Sequence, residues 1–152
     1  MFQCLVDFVA ELTLVTLGDQ ETWTLHIDGS SNPKRGGAGI ILEGPNGILV
    51  KQSLKLDFQA TNNQAEYEAL LAGLRLAHDI GARNIYCNSD SKLMVAQLAG
   101  NYQIKDPLLQ RYHLTTSAWT SCFPSFTIHH VPRERNARAD RLSKLANTKR
   151  PG

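Results

Sequence analysis

The chain is short of the features that mark secreted, membrane-spanning or strongly charged proteins. Its 152 residues contain only three cysteines, Cys4, Cys87 and Cys122. The number is odd and no pair has CxxC spacing, which excludes a disulfide framework and argues against a zinc site; three reduced, mostly buried thiols are expected. No run of about 18 apolar residues occurs, so no membrane-spanning helix is expected. Charge of either sign is scarcely in excess: 16 Lys and Arg face 14 Asp and Glu, a formal +2. That total does not point to a polyanion partner. With 42% hydrophobic residues and this low net charge, disorder is excluded as the main description. The length suits one domain with a real core.

The first twenty residues lack the basic start of a secretory signal and carry Asp7 and Glu11 within their apolar part. A cytoplasmic or nuclear protein, or a piece of one, is therefore expected. Phe2, Leu5, Val6, Val9 and Leu12 can share a helical face before the break at Gly18-Asp19, so residues 1–20 read as a linker or N-terminal docking segment. Residues 21–148 read as the domain and 149–152 as a tail.

Within the domain, Trp23, Leu25 and Ile27 alternate with Thr24, His26 and Asp28, the period-two pattern of a strand. Turn clusters at Gly29–Gly37 and Gly44–Gly47 separate it from a β-branched run at Gly39–Leu42 and a third strand over Ile48–Leu56. Thr61-Asn-Asn-Gln64 is a capping box, predicting a helix from Asn62 to about Ile80, ended by Gly81. A strand over Asn84–Asp90, helices over Ser91–Ala99 and Asp106–Ser121, a strand over Phe126–Val131 and a helix over Asn136–Asn147 complete the order βββαβααβα. The expected class is α/β, a five-stranded mixed sheet of three antiparallel strands followed by parallel ones, flanked by helices.

Four carboxylates stand where apolar or turn residues are the rule. Asp28 and Asp90 each end a strand, the place where ligand and catalytic groups gather in α/β sheets. Glu66 shares a helical face with Ala69, Leu70, Gly73 and Ala77, and Asp140 lies beside Leu142, Leu145 and Ala146. Each also has an ordinary structural role open to it. The two Asp residues suit turns, Glu66 suits a helix N-terminus, and Asp140 can pair with Lys144 at i+4. Clustered carboxylates repel unless cations neutralise them, and oxygen-only donors favour Mg²⁺ or Mn²⁺. Two ions about 3.5–4 Å apart can clamp the attacking and leaving oxygens of a phosphoryl transfer.

At these residues the chain resembles the type 1 ribonuclease H family. The matching blocks are Asp28-Gly-Ser-Ser-Asn32, Thr61-Asn-Asn-Gln-Ala-Glu66, Asn88-Ser-Asp-Ser91 and Asn136-Ala-Arg-Ala-Asp140, in family order across roughly residues 22–147. The phrases Ala60–Leu74 and Val131–Asn136 look closest to the ribonuclease H domain of plant gypsy-class LTR retrotransposon polyproteins, and Asp7–Thr13 is similar to the segment joining it to reverse transcriptase there. The resemblance implies a ribonuclease H fold and an endonuclease that cuts the RNA strand of RNA/DNA hybrids with two Mg²⁺ ions, or Mn²⁺ as substitute, leaving 3′-OH and 5′-phosphate ends. Asp28 would bridge both ions, Asp140 would complete the site holding the water, and Glu66 and Asp90 would hold the second ion. Gly29, Ser30, Asn32, Thr61, Asn62, Asn63, Ser91 and Asn136 match blocks that face the substrate, with Asn32, Asn62 and Asn63 on the RNA strand and Thr61 on a DNA phosphate.

The resemblance has gaps. Many members carry a His in a Gly-containing loop before the last Asp; here Pro132-Arg-Glu-Arg-Asn136 has none, and Arg133 is the candidate replacement, since a guanidinium can hold phosphate. His129 and His130 read as structural. A long basic insertion is also missing, with Lys105 the sole Lys or Arg between Leu98 and Pro107. Weak intrinsic affinity follows, with a tethered reverse transcriptase domain supplying the rest. The chain is expected to be a monomer. The alternatives are a binding module that has lost catalysis and an integrase- or resolvase-like strand transferase; four retained carboxylates argue against the first. The near-neutral total hides a separation: residues 133–152 hold seven basic and two acidic side chains, residues 1–132 nine and twelve. A basic end beside an acidic metal site suits a phosphate-tracking edge.

Overall fold

The computed structural model describes residues 21–31, 36–100 and 103–148. The expectations for residues 1–20, for Cys4, for Asn32 and for the tail lie outside them. Five strands form one mixed sheet, with helices on both faces. They are β1 (Thr22–Ser31), β2 (Gly36–Glu43), β3 (Leu49–Leu56), β4 (Asn84–Ser89) and β5 (Ser125–His130), in the order β3-β2-β1-β4-β5. The first three pair antiparallel; β4 joins β1 and β5 joins β4 in parallel. This is the expected topology, with strand limits within a residue or two except across the first turn, where β1 runs three residues past Asp28 to Ser31 and β2 starts three residues early, because Gly29–Ser31 pair with Gly36–Ala38.

The alternation in β1 decides which face is core. Leu25 and Ile27 are fully buried on one side with Ala38, Ile40 and Leu42 of β2 and Ile85 and Cys87 of β4. Helix α1 (Asn62–Ile80) covers that face with Tyr67, Leu70, Leu74 and Ala77. Each such Leu or Ile contributes about 1.5–3 kcal/mol by leaving water. Both halves of the capping box form: Thr61 Oγ1 accepts from Gln64 N and Gln64 Oε1 accepts from Thr61 N, each at 3.1 Å. Gly81 ends the helix at φ 93°, a left-handed conformation that favours glycine.

Helices α2 (Lys92–Leu98) and α3 (Pro107–Thr120) follow, capped by Ser91 and Asp106. A 3-10 turn over Arg133–Asn136 leads into α4 (Ala137–Thr148), which packs on the opposite face against β2, β1 and β3. The buried side of α4 differs from the expected stripe. Ala139 and Ser143 are inside while Leu145 is 53% exposed, because α4 meets bare strand backbone, where small residues fit. Of the thiols, Cys87 is buried and free, as expected. None of the described helices is long and apolar enough to cross a membrane.

Candidate active site

Parallel pairing brings the first two carboxylates together. Ile27 stands opposite Ser89, the last pair of the β1–β4 ladder, so Asp28 and Asp90, one residue further along, emerge side by side where that ladder ends, three residues before the end of β1. Glu66 arrives from α1 because residue 29 is glycine. A Cβ there would lie 2.2 Å from the Ala65 carbonyl carbon and 2.4 Å from the Glu66 amide nitrogen, so only glycine lets the helix rest directly on the strand. The Gly29 amide then donates to Glu66 Oε1 at 2.6 Å. Asp28, Glu66 and Asp90 each place one oxygen within 4.8 Å of the others. The side chain of Asp90 is only 3% exposed.

Burial and neighbouring negative charge disfavour ionisation of Asp28 and Glu66. Burial and then the charge of Asp90 push Asp28 up from 3.8 to about 8, against the lowering effect of the Ser143 hydroxyl. Burial and then the charge of Asp28 push Glu66 up from 4.5 to about 9, opposed by the Gly29 amide. The Oδ2 atom of Asp90 is buried without a hydrogen-bond partner. A buried acceptor in that state is costly unless a cation reaches it. Converging hard oxygen donors, one of them without a hydrogen bond, fit a divalent cation such as Mg²⁺.

Asp140 is placed beside this trio rather than in it. Its Oδ2 is 3.2 Å from Lys144 Nζ, the i+4 pair that the sequence also allowed, and its proximity helps to raise Asp28. Arg133, on the 3-10 turn, is 76% exposed with Nε 3.8 Å from Asp90 Oδ2, at the rim of the cluster. Asn136 is only 2% exposed, and its Nδ2 donates to the Ile27 carbonyl at 2.7 Å. This residue ties the turn to β1 one residue before Asp28 and does not face outward.

The other described candidates sit at the end of β1 and at the starts of α1 and α2. Ser31 Oγ donates to Asn62 Oδ1 at 2.6 Å, holding the β1 end to the start of α1. Asn63 keeps a buried Oδ1 without a partner. Thr61 serves the capping box, and Ser91 Oγ accepts from Met94 N at 3.2 Å as the cap of α2. Ser30 is half-buried near the end of β1. His129 of β5 stacks on Tyr86 of β4 with ring centroids 4.2 Å apart.

Two residues of the site escaped the sequence reading. Ser143 Oγ donates to Asp28 Oδ2 at 2.8 Å, and Gly39 is the place where α4 meets the sheet. The available signal was the i+3 spacing of Ser143 from Asp140, which puts both on one helical face.

Comparison with known proteins agrees with this geometry. The reverse transcriptase-like family matches residues 26–146. Ribonuclease HI of Halobacterium salinarum is 38% identical over 123 residues, covering 80% of this chain and 62% of that protein. This chain thus spans less than two thirds of that relative. The crystal structure of RNase H1 from Halobacterium salinarum superposes with a TM-score of 0.78 at 35% identity, covering 82% of this chain and 96% of that one. The N-terminal RNase H domain of Rv2228c from Mycobacterium tuberculosis, solved as a fusion with maltose binding protein, gives 0.77 at 32% identity, covering 84% and 94%. LC11-RNase H1 in complex with RNA/DNA hybrid gives 0.75 at 29% identity, covering 82% and 95%. With the fold, the carboxylate cluster and these relatives in agreement, the chain belongs to the type 1 ribonuclease H family.

Proposed function

We propose that this chain hydrolyses the RNA strand of RNA/DNA hybrids, using two divalent cations and leaving 3′-hydroxyl and 5′-phosphate ends. The observation that carries the proposal is the trio of Asp28, Glu66 and Asp90, with oxygens within 4.8 Å and one buried acceptor lacking a hydrogen bond. Asp28, Glu66, Asp90 and Asp140 are the residues to hold the ions, Mg²⁺ first and Mn²⁺ as a substitute. Bound there, such ions supply the activated water and the positive charge that a phosphodiester needs.

The chain's own residues set where the substrate lies. Arg133 offers a guanidinium at the rim, suited to a phosphate that arrives beside Asp90. Gly29, Ser30, Asn32, Asn62 and Asn63 belong to the edge that meets the RNA strand, where amide groups can both donate to and accept from a 2′-hydroxyl. Thr61 and the free amides at the start of α1 suit a DNA phosphate. Ser91 and Asn136 support this edge by capping α2 and anchoring the turn. The hybrid bound to LC11-RNase H1 supports the substrate class.

The Ala60–Leu74 and Val131–Asn136 phrases support a retroelement setting of the plant gypsy class, with reverse transcription as the process. A reverse transcriptase domain in the same polyprotein is then the partner that compensates for the missing basic insertion. The chain acts as a monomer in the cytoplasm or nucleus.

The test is cleavage of labelled RNA/DNA hybrid, duplex RNA and duplex DNA by the purified chain and by Asp28→Asn, with Mg²⁺, Mn²⁺ or EDTA. Cleavage of the hybrid alone, lost in the variant and in EDTA, is expected. Binding without cleavage in either metal overturns the proposal, and equal cutting of duplex DNA points to a strand transferase instead.

A further inference from the structure

We infer that Ser143 is a positioning residue for the Asp28 carboxylate, holding Oδ2 so that the group is presented to a divalent cation in one orientation. The inference rests on the metal-dependent reading above and deepens it at the level of a residue outside the four carboxylates.

Ser143 has no solvent exposure. Its Oγ lies 2.8 Å from Asp28 Oδ2, a contact that joins α4 to β1 across 115 residues of chain. The same oxygen lies 2.8 Å from the Asp140 carbonyl, three residues back on its own helix. A hydroxyl has one proton and can donate to only one of them at a time. A bond to an ionised carboxylate is stronger than a bond to a neutral carbonyl, so the proton belongs on the Asp28 side when that group is charged. The backbone carbonyl at i−3 is the ordinary partner of a serine inside a helix, and on that account Asp28 would be incidental.

The packing argues against an incidental contact. Gly39 pairs with Asp28 in the β1–β2 ladder. A Cβ at Gly39 would stand 2.1 Å from the Ala139 carbonyl oxygen and 2.6 Å from the Ser143 amide. The helix backbone therefore rests on the sheet directly beside Asp28, and a side chain as short as serine spans the remaining gap. Ser143 also links the two carboxylates that come from different elements, touching the side chain of Asp28 and the main chain of Asp140. Hydrogen bonds that orient a metal-binding group typically change affinity by about 10–100-fold when removed.

Calorimetric titration of the full chain with Mg²⁺, without nucleic acid, tests this. Ser143→Ala is expected to bind Mg²⁺ about 10-fold more weakly than wild type. It should melt in EDTA within a few degrees of wild type, and recover hybrid cleavage as Mg²⁺ is raised. If the alanine variant does not fold, Ser143→Cys, close in size and a weak donor, is held to the same criterion. Unchanged Mg²⁺ affinity in a folded variant overturns the positioning role and leaves the nuclease reading intact. A wild-type chain that takes up no Mg²⁺ at all overturns both, so the two failures are distinguishable.

Discussion

Gly39 of β2 stands opposite Asp28 of β1 and lets a helix lie against the strand at that point. Its neighbour in the ladder repeats the arrangement on the other side: Gly29 pairs with Ala38 and lets α1 close onto β1 at Ala65 and Glu66. Two helices thus approach one short stretch of sheet from opposite faces. Each delivers a carboxylate to Asp28, Glu66 from α1 and Asp140 from α4. Gly39→Ala should shift α4 and cost about 2–4 kcal/mol, a value at the overpacking and backbone-strain end of single substitutions. Hybrid cleavage is expected to fall further than the loss of folded protein explains. Gly47→Ala is the control: its φ is 78° but a Cβ meets nothing within 4 Å. A cost of about 1 kcal/mol in urea unfolding with unchanged activity is expected there.

Asp28→Asn removes a charge from the trio. Without metal the variant should be more stable than wild type, melting about 3–8 °C higher at pH 8 in EDTA, since repulsion and desolvation are relieved. Activity should drop by at least about 10³-fold, the loss of roughly 4 kcal/mol of transition-state stabilisation. A scanning calorimetry trace in EDTA beside a cleavage time course checks both, and a variant less stable than wild type would refute the repulsion argument.

The pH dependence of metal-free stability has a definite sign. Asp28 and Glu66 are raised in the folded chain from 3.8 and 4.5 to about 8 and about 9, so the folded state holds protons that the unfolded state has released. Their contribution is fully present below about pH 4 and is lost as pH rises through 8 to 9. Divalent metal competes with those protons and binds more tightly as they leave. The melting-temperature gap between Mg²⁺ and EDTA samples should therefore widen steadily from pH 5 to pH 9.

Arg133 and Asn136 act through different physics although they share one turn. Arg133→Ala removes an exposed cation, so stability should change by less than about 0.5 kcal/mol while kcat falls. Arg133→Lys, with no planar fork, should restore only part of it. Asn136→Ala deletes the donor to the buried Ile27 carbonyl and should cost about 1–3 kcal/mol in chemical unfolding. Comparable stability losses in the two variants would contradict this division.

The sequence by itself determined the element order, the capping box of α1, the strands that carry or lead into Asp28 and Asp90, and the family. Those features are local or periodic: alternation in β1, Thr61 and Gln64 three residues apart, and motif blocks of four to six residues. The buried face of α4 and the partners of the carboxylates were not legible in this way. Only the tertiary structure decided that Ser143 reaches Asp28, that Asn136 is an internal tie, and that Asp140 stands beside the trio on Lys144. Each of these depends on how close two backbones approach. That distance is set by the absence of a side chain at Gly29 and Gly39, and its effect appears only when residues far apart in the chain are packed together.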